Sequence, residues 1–318
     1  MTRRTLLAQF ATLPLVRAQE TLFEVDVQLV SLLATVKDEA GELVGALERD
    51  DFTVYDNGVV QQIAVFERQT SQPLSVALLV DVSGSIAARL PREVGSVLRF
   101  ADALFREGNP ADALSLYSFN QDVTLETSFT RRVKRLEKEL KSLKAEAGTS
   151  LYDAIYFASR ALGYRRGRRV IVIVSDGADT TSVKSFREAL EAAHNADAVL
   201  YGIMILPVTS DAGRHVAGEN AFTSLCAGTG GRVLSALPGE DFDASFDSIL
   251  RDLRTQYLIG YYPRNVPFST DPFHRIEIHL RRPGLRAITR TGYYGVYEEP
   301  EFPPASPSGP SRKSRQQE

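Results

Sequence analysis

The stretch Leu74-Ser-Val-Ala-Leu-Leu-Val80 is apolar almost throughout, without the alternation of a strand that keeps one face in water. A strand of that kind is buried on both sides, and a parallel sheet with helices packed on both faces is the arrangement that buries it. Similar runs return at residues 113–119, 169–174 and 199–205, and the segments between them carry apolar residues at spacings of three and four. Residues 91–105 open on Pro91 and place Val94, Val97, Leu98, Ala101, Leu104 and Phe105 on one helical face. Residues 131–144 do the same with Val133, Leu136, Leu140 and Leu143, and the Lys, Arg and Glu between them read as a solvated face. Further helices are expected over 150–162, 183–198, 221–227 and 241–254, a strand over 232–237 and an edge strand over 124–129. Strands alternating with helices give a doubly wound, mostly parallel α/β domain over residues 73–255.

Both flanks of that domain read as β structure. Residues 24–36 form one or two strands, and Asp51-Phe-Thr-Val-Tyr-Asp-Asn-Gly58 is a strand closed by an Asn-Gly turn, with 61–67 as its return. Past Thr255, Gln256-Tyr-Leu-Ile-Gly-Tyr-Tyr262, Arg275-Ile-Glu-Ile-His-Leu280 and Leu285-Arg-Ala-Ile-Thr-Arg290 complete the set, with Arg282-Pro-Gly284 as a turn. The segments 20–72 and 256–297 are therefore expected to pair into one small sandwich-like module, with the α/β domain inserted between them. Residues 298–318, rich in Pro and Ser, are expected to form a disordered tail.

At the amino end, two arginines precede an apolar run over residues 6–16, and Val16-Arg-Ala18 supplies small residues where a signal peptidase cuts. Residues 1–18 thus read as an export signal, of the general secretory or the twin-arginine type, which places the mature chain in the periplasm or outside the cell. No other stretch approaches the roughly 20 apolar residues of a membrane span. No cysteine lies near the cleavage site for lipid attachment, and the only cysteine, Cys226, has no partner for an internal disulfide. With 37 Lys+Arg against 40 Asp+Glu the net charge is −3, and no basic stripe with interleaved aromatics is present, so nucleic acid is not an expected partner.

In open α/β sheets ligands bind beyond the carboxyl ends of the strands. Three polar stretches stand at or near such ends: Asp81-Val-Ser83-Gly84-Ser85 after one strand, Gly148-Thr149 ahead of a helix, and Ser175-Asp176-Gly177-Ala-Asp179 after another strand. Two carboxylates and three hydroxyls, with no sulfur and no imidazole, suit a hard cation such as Mg²⁺, or Mn²⁺ or Ca²⁺. Ser83 and Ser85 can both turn inward from one tight loop, Gly84 lets the backbone bend, and Asp81 can hold a bound water. So few charged ligands leave a cation electron-poor, and an external carboxylate then becomes a favourable addition.

These residues resemble the metal-ion-dependent adhesion site of von Willebrand factor A domains, over about residues 73–254, a Rossmann-like fold. The resemblance implies that Ser83, Ser85 and Thr149 face the metal, that Asp81 and Asp176 act mainly through water, and that the sixth position is left for a ligand. It also implies a protein partner presenting an acidic residue. The flanking β segments are similar to the bacterial VWFA-related proteins described from acidobacteria, through Asp51-Phe-Thr-Val-Tyr-Asp-Asn-Gly and Tyr257-Leu-Ile-Gly-Tyr-Tyr-Pro. Asp153 and Asp179 read as capping or outer residues rather than ligands.

The four histidines, His194, His215, His274 and His279, show no His-Glu-x-x-His spacing, and the chain has neither a Gly-x-Ser-x-Gly elbow nor a Walker loop nor a dinucleotide fingerprint. The expectation is therefore a non-enzymatic, exported binding module. A secreted scaffold with a purely structural metal stands as one alternative, and a metal-dependent phosphoester hydrolase as another.

Overall fold

The computed structural model describes residues 29–68, 72–84, 90–205, 216–236, 242–267 and 271–295. The expected export signal and tail, Ser85 and His215 lie outside them. Four strands come first: β1 (Val30–Lys37), β2 (Phe52–Asp56), β3 (Val59–Gln61) and β4 (Ile63–Arg68). The α/β domain follows as β5 (Leu74–Asp81), α1 (Leu90–Glu107), β6 (Ala113–Phe119), β7 (Val123–Thr130), α2 (Val133–Ser142), α3 (Leu151–Gly163), β8 (Arg168–Ser175), α4 (Phe186–Asn195), β9 (Ala198–Ile205), α5 (Val216–Gly228), β10 (Val233–Ala236) and α6 (Asp243–Thr255). Strands β11 (Tyr257–Tyr261), β12 (Phe273–Leu280), β13 (Arg286–Ile288) and β14 (Gly292–Tyr294) complete the chain.

The central sheet has the order β10-β9-β8-β5-β6-β7, parallel except for the edge strand β7. All eight residues of β5 are buried, as the unbroken apolar run requires. Successive side chains divide between two cores. Val76, Leu78 and Val80 pack with the inward faces of α1, α2 and α6, while Ala77 and Leu79 pack with α3, α4 and α5. Each such Leu or Val contributes on the order of 2 kcal/mol by leaving water. Cys226 belongs to the second core, where burial pushes its thiol pKa up, so it is a packing residue. No helix among the described residues is long and apolar enough to cross a membrane.

The flanking strands form two four-stranded antiparallel sheets, β13-β1-β11-β4 and β14-β12-β2-β3. Each sheet therefore mixes strands from both ends of the chain, with Leu32 opposite Ile259 in one and Val54 opposite Ile278 in the other. Their facing sides enclose a third core of Leu32, Ala34, Leu47, Val54, Tyr257, Ile259 and Tyr261. Asn57 and Gly58 both adopt positive φ, 46° and 80°, as the tight hairpin between β2 and β3 demands. The return strand expected over 61–67 is two strands in different sheets, because the side chain of Gln61 is drawn to Arg264, accepting from its N–H at 2.8 Å and donating to its carbonyl at 3.1 Å.

The sandwich packs at the amino edge of the parallel sheet, where α4 and α5 end. Thr229 bridges Arg290, and the Arg290 guanidinium reaches the Asp197 carboxylate and the Ser31 carbonyl. The carboxyl edge, with its three polar loops, is on the opposite side of the domain.

Candidate metal centre

Asp81 closes β5 with its side chain fully buried. Its Oδ1 accepts the N–H of Ser83 at 2.8 Å and its Oδ2 the hydroxyl of Ser175 at 2.7 Å, from the end of the neighbouring strand β8. The Ser83 hydroxyl adds a third hydrogen bond. Burial nonetheless raises the carboxyl to about 6 from 3.8, and the nearby Asp176 carboxylate pushes in the same direction. Among the described residues the main influences on this buried acid are thus desolvation, three donors and a second acid, with no cationic side chain.

Ser83 is itself buried, held by a bridge to Glu146 whose N–H donates to Val82 O at 3.0 Å. Gly148 turns with φ +87° against Gln121, whose Cβ and backbone atoms an added Cβ would approach within 3.0–3.2 Å. This close approach sets the buried Thr149 just ahead of α3. Thr149 is gripped through its backbone: its N–H donates to Thr180 Oγ1 at 3.0 Å, and its carbonyl accepts from the N–H groups of Thr180 and Thr181 at 2.8 and 3.2 Å. Its hydroxyl makes no hydrogen bond recorded among the described residues, and so is available to a ligand.

Asp176 begins the loop after β8, with Oδ1 accepting from Ala178 N–H at 3.0 Å and Gly177 at φ +83°. The same loop carries Thr180 and Thr181, so Asp176 and Thr149 are positioned by one piece of chain. Asp179 and Asp153 are both occupied, the first at the start of α3 and the second by the segment ahead of α4. Asp179 takes the Tyr152 N–H at 3.2 Å and the Ser182 hydroxyl at 2.6 Å, while Asp153 takes the N–H groups of Val183 and Lys184 at 3.0 and 2.7 Å. The structure thus brings Asp81, Ser83 and Asp176 together, ties Thr149 to the Asp176 loop, and leaves Ser85 outside the described residues.

Two structural supports, Ser175 and Thr180, escaped the sequence reading. Ser175 touches Asp81 only because β5 and β8 are neighbours, and 94 residues separate them. Among the described residues no group of three His, Cys, Asp or Glu side chains could hold a metal ion, so an acid-rich calcium cage or an imidazole–thiolate site is not what these loops build. What they offer is hydroxyl oxygen beside two carboxylates. That donor set fits a hard cation that keeps some waters, and such a charge would relieve the desolvation of Asp81.

If Ser175 orients Asp81 for that role, Ser175→Ala is expected to lower Mn²⁺ affinity by about tenfold or more, since losing an outer hydrogen bond to a metal-site group typically costs 10–100-fold. Calorimetric titration of the folded variant measures this. An unchanged affinity would take Ser175 out of the site.

Residues 76–178 match the family model described as von Willebrand factor type A domain. No curated protein matches the chain. Among solved structures, it is similar to the conserved hypothetical protein BatB from Bacteroides thetaiotaomicron, at 16% identity and a TM-score of 0.45 over 57% of this chain and 97% of that one. The vWF domain of the type V pili tip protein Mfa5 from Porphyromonas gingivalis gives 14% and 0.47 over 57% and 95%. The pilus adhesin SpaC from Lactobacillus rhamnosus GG, in its open conformation, gives 11% and 0.48 over 82% and 47%.

Proposed function

We propose that the chain is an exported binding module whose central domain, matched over residues 76–178 by the von Willebrand factor type A domain model, holds one divalent cation and uses it to grip a carboxylate on a protein partner. The observation that carries this reading is the fully buried Asp81 carboxylate, hydrogen-bonded by Ser83 and Ser175, with the Asp176 carboxylate nearby and, among the described residues, no cationic side chain shifting its pKa. An ionised group placed so is costly on its own and becomes favourable beside a metal.

Ser83, Thr149 and, by its place in the loop, Ser85 would offer hydroxyl oxygens to the cation, with Asp81 and Asp176 holding its waters. Mg²⁺ suits that set, and Mn²⁺ or Ca²⁺ can substitute. The bound cation supplies positive charge at the edge of the domain. The chain's own residues supply placement: the β5 end and the Asp176 loop would fix the oxygens, and the described strands of the sandwich pack at the opposite edge. A cleavable leader over residues 1–18, expected from the sequence, would put the module outside the cytoplasm.

The test is capture of a partner from the cell envelope by the immobilised mature chain. Binding is expected in Mg²⁺, to be lost in EDTA, to return with Mn²⁺, and to be absent in folded Asp81→Ala and Ser83→Ala variants. Binding indifferent to EDTA and to both substitutions would overturn the proposal. A scaffold whose metal only fastens loops would instead gain stability from Mn²⁺ while no acidic ligand competed at the site.

A further inference from the structure

The seam between the α/β domain and the sandwich holds a second buried polar group that the metal edge does not use. His194, in the last turn of α4, is only 3% exposed, and its ring stacks on Phe273 of β12 at 5.6 Å and lies 6.1 Å from Tyr294 of β14. Its Nε2 is 3.0 Å from the carbonyl of Gly228 at the end of α5. A carbonyl only accepts, so Nε2 carries the proton and the neutral ring keeps its lone pair on Nδ1. That Nδ1 has no hydrogen-bond partner, and neither does Nε of Arg290, a residue 8% exposed on the sandwich side.

His194 and Arg290 both line one small cavity of about 20 Å³, together with Leu33, Asp197 and Thr229. A space of that size with several polar walls accommodates a single water. Such a water accepts from Arg290 Nε–H and donates to His194 Nδ1, satisfying the two unpartnered atoms at once. Beside it Thr291 also joins the two parts, its N–H and hydroxyl both donating to Gly228 O, at 2.9 and 3.1 Å.

We propose that this seam is an acid-sensitive latch: neutral His194, bridged to Arg290 by one buried water, fastens the sandwich to the α/β domain, and protonation of His194 loosens it. Protonated Nδ1 becomes a donor, so the lone pair that received the water is gone, and a second positive charge faces Arg290 across the cavity. Asp197, the acid among the described residues lining the cavity, is already shared by Arg290 at 2.5 Å and by Arg169 of β8 at 3.5 Å. From β14 the facing group is Tyr294, which is itself engaged with Arg187 and lies near Glu191 on α4. From β12 it is the uncharged Phe273; the adjacent His274 points to Asp56, 2.9 Å away. Burial, with Arg290 behind it, holds the His194 pKa below 6.5 despite the Gly228 carbonyl and Asp197. A folded-state pKa below the unfolded one means that the stabilisation is complete above about pH 6.5 and is lost as pH falls through the folded value.

Hydrogen exchange of the full chain, corrected for the intrinsic rate, tests this at neutral pH and at about pH 5. Protection over residues 273–280, 290–294 and 193–197 is expected to fall by about tenfold or more on acidification, with the β5 and β8 amides unchanged, and the fall is expected to vanish in His194→Gln. No fall in the parent, or an equal fall in the variant, would overturn the proposal. Should His194→Gln fail to fold, ring ¹⁵N shifts of the parent decide. A proton on Nε2 at neutral pH and a midpoint below about 6.5 support the latch, while a proton on Nδ1 or a higher midpoint overturns it.

Discussion

Asp81→Asn is expected to leave the metal-free chain at least as stable as the parent at neutral pH, by up to roughly 3 kcal/mol, while abolishing any stabilisation by Mg²⁺ or Mn²⁺. The first half follows from the raised carboxyl, about 6 in the fold against 3.8 in an ordinary aspartate. A pKa raised by folding means that the folded chain favours the protonated acid. Its contribution is fully present below about pH 3.8, disappears as pH rises through about 6, and leaves an ionised group uncompensated at neutrality. Asparagine keeps the shape, accepts from Ser83 N–H and donates to Ser175 Oγ, and carries no charge to desolvate. The second half follows from linkage: a parent that binds the metal as proposed would gain about 2.7 kcal/mol at a concentration a hundred times the dissociation constant, and a variant that does not bind gains nothing. Thermal melts across a metal series, with EDTA as the reference, read both halves. A strongly destabilised Asp81→Asn beside a parent indifferent to metal would make Asp81 a structural acceptor and nothing more.

Asp56→Ala is expected to cost roughly 3–5 kcal/mol, the scale set by removing one partner from a buried charged network. Asp56 is fully buried between the sheets of the sandwich, where Oδ2 accepts from Tyr261 and Tyr293 hydroxyls at 2.9 and 2.8 Å and Oδ1 faces His274 Nδ1 at 2.9 Å. Burial first, and the Asp56 charge after it, raise the Tyr261 pKa, so its phenol stays a donor and would be orphaned. The Tyr293 hydroxyl, 3.2 Å from His274 Nδ1, can find a second partner, which keeps the cost below a simple sum. Because β2 comes from one end of the chain and β11, β12 and β14 from the other, this one carboxylate ties the two ends together. Denaturant unfolding of the variant beside Tyr261→Phe, which removes one donor and should cost about 1 kcal/mol, separates the node from a single bond. A cost under about 1 kcal/mol for Asp56→Ala would show that Asp56 is not the group that ties the ends.

What was legible in the sequence were features that a single segment settles. The unbroken apolar runs of β5 and β8 announced strands covered on both faces, and Asn57-Gly58 announced its turn. The polar residues after those strands marked the candidate site, because in a parallel sheet the carboxyl ends converge whatever the strand order. Features that depend on distant residues stayed hidden. Apolar spacing suggested that the fourth helix opens at Val183, yet Asp153 takes the Val183 and Lys184 N–H groups and the helix begins at Phe186, capped by Ser185 with Glu188. The three-residue strand β14 is too short to carry a pattern, and the support of Asp81 by Ser175 exists only once β5 and β8 lie side by side.

Anomalous diffraction from crystals of the chain soaked in Mn²⁺ tests the metal site most directly. One strong peak is expected at the carboxyl edge, about 2.0–2.3 Å from the hydroxyl oxygens of Ser83 and Thr149, and no such peak in Asp81→Ala. A parent crystal with no peak between those hydroxyls, or with manganese bound only elsewhere, would contradict it.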